Sequence, residues 1–134
     1  MKRNICINLS TKDIEKSKKF FQDLGLKLNS FCTDETTIGL EIEDNIFVLI
    51  SQEDKFKTFT KKEIVKPREQ TETILSLELQ DKEEVDNFIE KAISLGARES
   101  NDVMDLGWMY CRQFEDLDGH LWEAFFMNEK QRNE

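Results

Sequence analysis

One residue in the stretch His120-Leu-Trp-Glu-Ala-Phe-Phe-Met127 is not explained by its neighbours. Side chains on a strand alternate between faces, so Leu121, Glu123 and Phe125 share one face and Trp122, Ala124 and Phe126 the other. Glu123 is therefore a carboxylate set between two large apolar side chains. Such a group can act as a general base or as a polar anchor for a bound molecule. The structural alternative is an ion pair. Counted simply about the preceding turn, Arg112 stands opposite Glu123, and a cross-strand pair of that kind contributes only ~0.2–1 kcal/mol.

Other residues with usable chemistry are few. His120, the single histidine, follows Gly119 and reads as a brace for the turn rather than as an acid–base group. Cys6, Cys32 and Cys111 are odd in number and widely spaced, with no CxxC pair, which points to reduced thiols in a cytoplasmic setting. Cys6 falls at a strand centre without a basic neighbour and reads as a neutral thiol rather than a nucleophile. Phe47, Trp108 and Tyr110 either line a ligand pocket or fill the core. Leu49, Leu75 and Leu77 would make any cleft apolar. No phosphate-binding glycine loop, HExxH pair or nucleophile elbow is present.

These residues need elements to position them. Asp116-Leu-Asp-Gly119 is turn chemistry between Met109–Phe114 and His120–Met127, so the end of the chain predicts a β-hairpin. Upstream, Asn4–Leu9 alternates as a strand, Asp13 caps a helix running to Leu24, and Gly25 ends it. Residues 27–32, 36–42 and 45–50 predict three short strands. The order then repeats: a strand over 73–79, the capping box Asp81-Lys-Glu-Glu84, a helix over 82–95, a weak strand over 97–103, and the hairpin. Between the halves, residues 52–72 are charged, carry the single proline (Pro67), and hold apolar anchors at Phe56, Phe59 and Ile64. Thr60-Lys-Lys-Glu63 predicts a short helix there, and the phenylalanines suggest a packed lid. Residues 128–134 are wholly polar and predict a frayed tail.

The organisation is thus a single α+β domain over 1–134. It holds a first βαβββ module (1–51), a connector or lid (52–72), a second βαβββ module (73–127) and a tail. Two such modules, each too small to fold alone, are expected to pair their sheets around a shared cleft. A net charge of −9 argues against nucleic acid and anionic membranes as partners, and no apolar run reaches spanning length or forms a signal peptide.

Two stretches resemble a known superfamily. Asn8-Leu-Ser-Thr-Lys-Asp-Ile-Glu-Lys-Ser-Lys-Lys-Phe-Phe-Gln-Asp-Leu-Gly25 resembles the opening of glyoxalase/bleomycin-resistance proteins, the vicinal oxygen chelate superfamily. Phe114-Glu-Asp-Leu-Asp-Gly-His-Leu-Trp-Glu123 resembles its closing hairpin, and residues 46–59 are similar to a bacterial branch labelled lactoylglutathione lyase-like. The resemblance implies paired half-barrel modules, a ligand between them and a homodimer. It also implies four metal-ligand positions drawn from His, Gln and Glu. Carried over, these fall on Cys6, Leu49, Leu75 and Glu123, and two leucines with one thiol do not make a divalent site. The expectation is a small-molecule-binding protein with no metal and no cofactor. Its ligand would contact Cys6, Phe47, Leu49, Leu75, Trp108, Tyr110, Arg112 and Glu123, with Glu123 the one catalytic candidate. The alternative is a divalent-metal-dependent lyase, isomerase or dioxygenase of the same superfamily.

Overall fold

Asp13 starts the first helix because its carboxylate accepts the Lys16 amide at 3.1 Å, satisfying a donor that the first helical turn leaves open. In the computed structural model, which describes residues 1–132, that helix is α1 (Ile14–Leu24), and it follows strand β1 (Ile5–Thr11). Strands β2 (Lys27–Leu28), β3 (Thr37–Glu43) and β4 (Ile46–Gln52) complete a sheet in the order β1-β4-β3-β2. β1 runs parallel to β4 and the remaining pairs are antiparallel. One face of this sheet presents Leu9, Ile38, Leu40, Val48 and Ile50, all buried together with Phe20, Phe21 and Leu24 of α1. Each such side chain contributes roughly 1.5–3 kcal/mol by leaving water. The buried hydroxyls of Thr11 and Ser17 satisfy each other at 2.7 Å where β1 turns into α1.

The chain divides into two units, residues 1–64 and Val65 onward. The second repeats the plan. Strand β5 (Ile74–Glu78) leads to helix α3 (Lys82–Ser94), with the short helix α2 (Glu53–Phe56) lying earlier in the chain. Then come β6 (Arg98–Glu99), β7 (Met104–Asp105), β8 (Met109–Glu115) and β9 (Leu121–Met127). The sheet order is β5-β9-β8-β6, with β7 also paired to β8. Asp81 caps as expected, accepting the Glu84 amide at 2.8 Å, while the Glu84 carboxylate reaches one residue further back than a capping box would, accepting the Gln80 amide at 2.8 Å. Val85, Ile89 and Ala92 of α3 are buried with Leu75, Phe114, Trp122 and Ala124 of the sheet, and the Phe114 and Trp122 rings lie nearly parallel at 6.4 Å. The architecture is α+β, built from two strand–helix–strands units. No helix among the described residues is long and apolar enough to cross a membrane.

Five local expectations are corrected. The strand predicted over 27–32 stops at Leu28, because Asn29 bends the chain by accepting the Phe31 and Cys32 amides, and Cys32 then packs against Gly39. The strand predicted over 97–103 is only Arg98–Glu99. In the connector the helix forms earlier, at Glu53–Phe56 followed by a 3-10 turn over Lys57–Phe59, while Thr60–Glu63 is not helical. Phe56 is half-buried against its own unit, but Phe59 is 54% exposed and does not pack as a lid side chain. In the tail, Glu129–Arg132 forms a helical turn, α4, begun by the Asn128 side-chain Oδ1 accepting the Gln131 amide at 3.0 Å. Residues 133 and 134 of the predicted tail lie outside the described residues.

The back half of the connector is held against the hairpin. Arg68 donates to Glu115 at 3.0 Å and to the Leu117 carbonyl, and its backbone passes directly over Gly119. A Cβ at Gly119 would stand 2.7 Å from the Arg68 nitrogen, and the backbone there has φ of 102°. Both facts exclude other residues. Gly119→Ala should lower stability by about 2–4 kcal/mol, combining left-handed backbone strain with overpacking. A fall in the urea midpoint at unchanged slope would show it; a midpoint equal to that of the parent would refute the packing described.

Candidate functional site

The face of the second sheet that carries Glu123 is decided by the hairpin register. β8 and β9 pair with Glu115 opposite Leu121 and Gln113 opposite Glu123. Arg112 pairs with Ala124 and so points to the other face. The simple count that set Arg112 against Glu123 is therefore wrong by one residue. The cause is the loop. The Asp116 amide donates to the His120 carbonyl at 2.9 Å, so the loop proper is Leu117–Gly119 and not the four residues 116–119. The Asp116 carboxylate gathers the amides of Asp118, Gly119 and His120, each at 3.0 Å, and takes the Trp122 indole N–H at 3.0 Å. Burial pushes this carboxyl above its usual range, while the charge of His120 and the four donors pull it back toward ionisation.

On the Glu123 face, Ser76 of β5 is the direct partner of Glu123, and its hydroxyl donates to Oε1 at 3.0 Å. Cys111 lies against the same carboxylate. Burial first, then its hydrogen bond with Glu123 and that residue's charge, push the thiol up to about 12, so it stays protonated and is no nucleophile. Gln113, 7% exposed, accepts the Ser100 hydroxyl at 2.8 Å through Oε1. Leu121, Phe125 and the exposed Ile74 complete the face. Among the described residues Glu123 has no cationic partner. A half-buried carboxylate held by one neutral hydroxyl, with apolar walls, has room for a further donor.

The opposite face of the same sheet holds a separate charge cluster. Arg112, 8% exposed, donates to Glu99 through Nε (2.8 Å) and one Nη (3.1 Å), to Glu90 (2.8 Å) and to Asp86 (3.0 Å). Its hydrogen bonds, that to Glu99 foremost, hold the guanidinium more firmly charged than usual against the opposing effect of burial. Tyr110 donates to Asp86 at 2.7 Å, and this bond, with burial, pushes the phenol up to about 12. For Asp86, burial acts upward but is outweighed by the bonds from Tyr110 and Arg112, leaving the carboxyl below its ordinary value.

The predicted site residues thus separate. Glu123 has its own face. Arg112 and Tyr110 belong to the ion cluster beside α3, and Leu75 pairs with Trp122 in the core, all three on the wrong side of the sheet for a common site with Glu123. Leu75, the third position that the resemblance offers, thus lies on the face away from Glu123, since successive residues of a strand turn to opposite faces. Ile74 and Ser76 are the residues of β5 that share the face of Glu123. Trp108 is half-buried just before β8, where its carbonyl accepts the Asn128 amide at 2.7 Å. In the first unit, Cys6, Phe47 and Leu49 share the sheet face away from α1, with Cys6 beside Phe47 in register and exposed. Sequence reasoning missed Ser76, Ser100 and Gln113. Only the correct loop length, read from the Asp116 side chain, could have found Gln113.

The geometry can now be set beside known proteins. The family described as Bleomycin resistance protein-like N-terminal matches residues 4–42, which span β1, α1 and most of β3. A hypothetical protein, SA1046, from S. aureus superposes with a TM-score of 0.79 at 26% identity, covering 94% of each chain. A glyoxalase-related enzyme from Fulvimarina pelagi gives 0.79 at 16% identity, covering 94% of this chain and 88% of its own. The fosfomycin resistance protein FosX from Listeria monocytogenes gives 0.70 at 20%, covering 98% of each. The fold is of the glyoxalase/bleomycin-resistance type. No curated protein sequence matches the chain.

The resemblance raises the question of a metal, and the side chains at the positions it offers do not fit one. The positions that the resemblance offers are Cys6, Leu49, Leu75 and Glu123, and leucine has no lone pair. Among the described residues no three His, Cys, Asp or Glu side chains converge as a metal-holding group.

Two predictions come from these side chains. Arg112→Met keeps the aliphatic stem and strands three carboxylates. It should cost about 2 kcal/mol, below the ~3–5 kcal/mol of a fully enclosed pair because Glu90 and Asp86 reach water. Since the folded Asp86 carboxyl lies below its unfolded value of 3.8, its contribution is present above that pH and is lost as the pH falls through the lower folded value. Asp86→Asn should therefore flatten the acid limb of the stability curve, and equal acid limbs would count against the cluster. Second, iodoacetamide at pH 8 should label exposed Cys6 well before Cys111, as peptide mapping over time would record.

Proposed function

We propose that this protein binds a small, partly apolar organic molecule on the Glu123 face, without a resident divalent ion. One observation carries the reading. Glu123 is a half-buried carboxylate between Leu121 and Phe125, oriented by the Ser76 hydroxyl, with no cation of its own among the described residues. Ser76 satisfies one oxygen of this carboxylate, and its charge meets no cation among the described residues, which leaves it able to take a donor from a ligand. The exposed Ile74 on the same face suits an apolar ligand body. The net charge of −9 supports a small organic ligand over nucleic acid. The divalent-metal lyase, isomerase or dioxygenase reading is disfavoured by the donor set. The homodimer implied by the resemblance belongs to this proposal as well; Phe31, 96% exposed on a loop pinned by Asn29, is a side chain that an assembly would cover.

A thermal-shift screen of organic metabolites and of zinc, followed by calorimetry, tests the reading. Glu123→Gln keeps the shape and removes the charge. It should weaken binding of the screened ligand at least tenfold, about 1.4 kcal/mol, while moving the melting temperature of the free protein by no more than about 2 °C. Tight stoichiometric zinc binding that disappears in Glu123→Gln would overturn it.

A further inference from the structure

The chemistry of the ligand can be taken one step further, resting on the binding reading above. Glu123 and Gln113 are direct cross-strand partners on one face, which puts their Cβ atoms about 4.5–5.5 Å apart. They present opposite hydrogen-bonding ends. Glu123 offers acceptors only, and Ser76 already orients it through Oε1. Gln113 is fastened by Ser100 twice: the Ser100 hydroxyl donates to Oε1 at 2.8 Å, and the Ser100 amide donates to the Gln113 carbonyl at 3.2 Å. With Oε1 occupied, the amide nitrogen is the working end, and among the described residues Nε2 has no acceptor. An unanswered acceptor and an unanswered donor therefore stand side by side in a setting walled by Leu121, Phe125 and Ile74.

We propose that this pair reads an N–H beside a C=O in a ligand, the edge of a cis-amide such as a lactam or cyclic imide. Glu123 takes the ligand N–H and Gln113 Nε2 gives to the ligand carbonyl. The pairing selects against other classes. A carboxylate ligand would bring a second negative charge against Glu123. A simple cation would satisfy Glu123 and leave the Gln113 donors unmet. A pure hydrocarbon would strand both groups, and a site built on buried polar groups rejects analogues that leave them unpaired.

The probes are 2-quinolone, which joins a cis-amide edge to an apolar ring, and N-methyl-2-quinolone, which keeps the carbonyl and loses the N–H. Fluorescence titration of the full chain should show 2-quinolone binding at least tenfold more tightly than its N-methyl form. In Glu123→Met that preference should fall to about twofold or less, because the group that reads the N–H is gone. In Gln113→Met both compounds should weaken together while the preference for the N–H persists, because both keep the carbonyl. Ser100→Ala, which releases the Gln113 amide without altering its chemistry, should weaken both probes and serves if Gln113→Met does not fold. Equal binding of the two probes to the parent protein, or no binding of either, would overturn the amide inference. If another compound from the screen still binds in a Glu123-dependent way, the binding reading stands alone. If no compound depends on Glu123, both fall.

Discussion

The Asp116 carboxylate is the interaction on which the second unit turns. It sits buried at the mouth of the hairpin, accepting three consecutive backbone amides and the indole of Trp122. Those bonds close a three-residue loop instead of a four-residue one, and the loop length sets the register of β8 against β9. Register then decides everything on both faces. It sends Trp122 and Phe114 inward under α3, and it sets Gln113, not Arg112, across from Glu123. Removing a satisfied buried acceptor would strand four donors at once, so the loop, the core and the candidate site are not independent features.

The same sheet carries two kinds of charge, and their surroundings separate their roles. Arg112 is saturated: three carboxylates answer it, and Tyr110 shares one of them. Such a cluster ties β8 and β6 to α3 and has no capacity left for a ligand. Glu123 is the opposite case, fixed by the neutral Ser76 hydroxyl and without a counter-ion among the described residues. This contrast, more than any single distance, is why the proposed ligand meets the Glu123 face.

The family likeness and the local chemistry agree on fold and diverge on metal. Solved relatives at 14–26% identity share the backbone plan over most of the chain. Fold does not carry the donors with it, however, because a metal site depends on a handful of side chains that a strand can exchange without disturbing its pairing. Here a thiol and two leucines stand at three of the four positions, and β-pairing is indifferent to the change.

Much of the architecture was legible in the amino-acid order alone, for a physical reason: helices and their ends depend on contacts only a few residues apart. Asp13 and Asp81 cap as their side chains dictate, and the apolar stripes of α1 and α3 follow from 3.6-residue spacing. The repeated strand–helix–strands plan, and Glu123 as the residue wanting explanation, came from the same local patterns. Strand partners were not legible, since pairing is decided between distant residues and alternation makes it all-or-none per residue. Counting one residue too many across the Asp116 loop moved Arg112 to the wrong face, and Leu75 proved to lie on the core face, away from Glu123. The short β2 and the earlier connector helix were likewise decided by tertiary contacts, Cys32 on Gly39 and α2 against β1 and β4. What the sequence determined by itself was which segments would be helices and strands. Which side chains meet across the sheet, and so the pairing of Glu123 with Ser76 and Gln113, was decided only when a buried carboxylate chose the length of one loop.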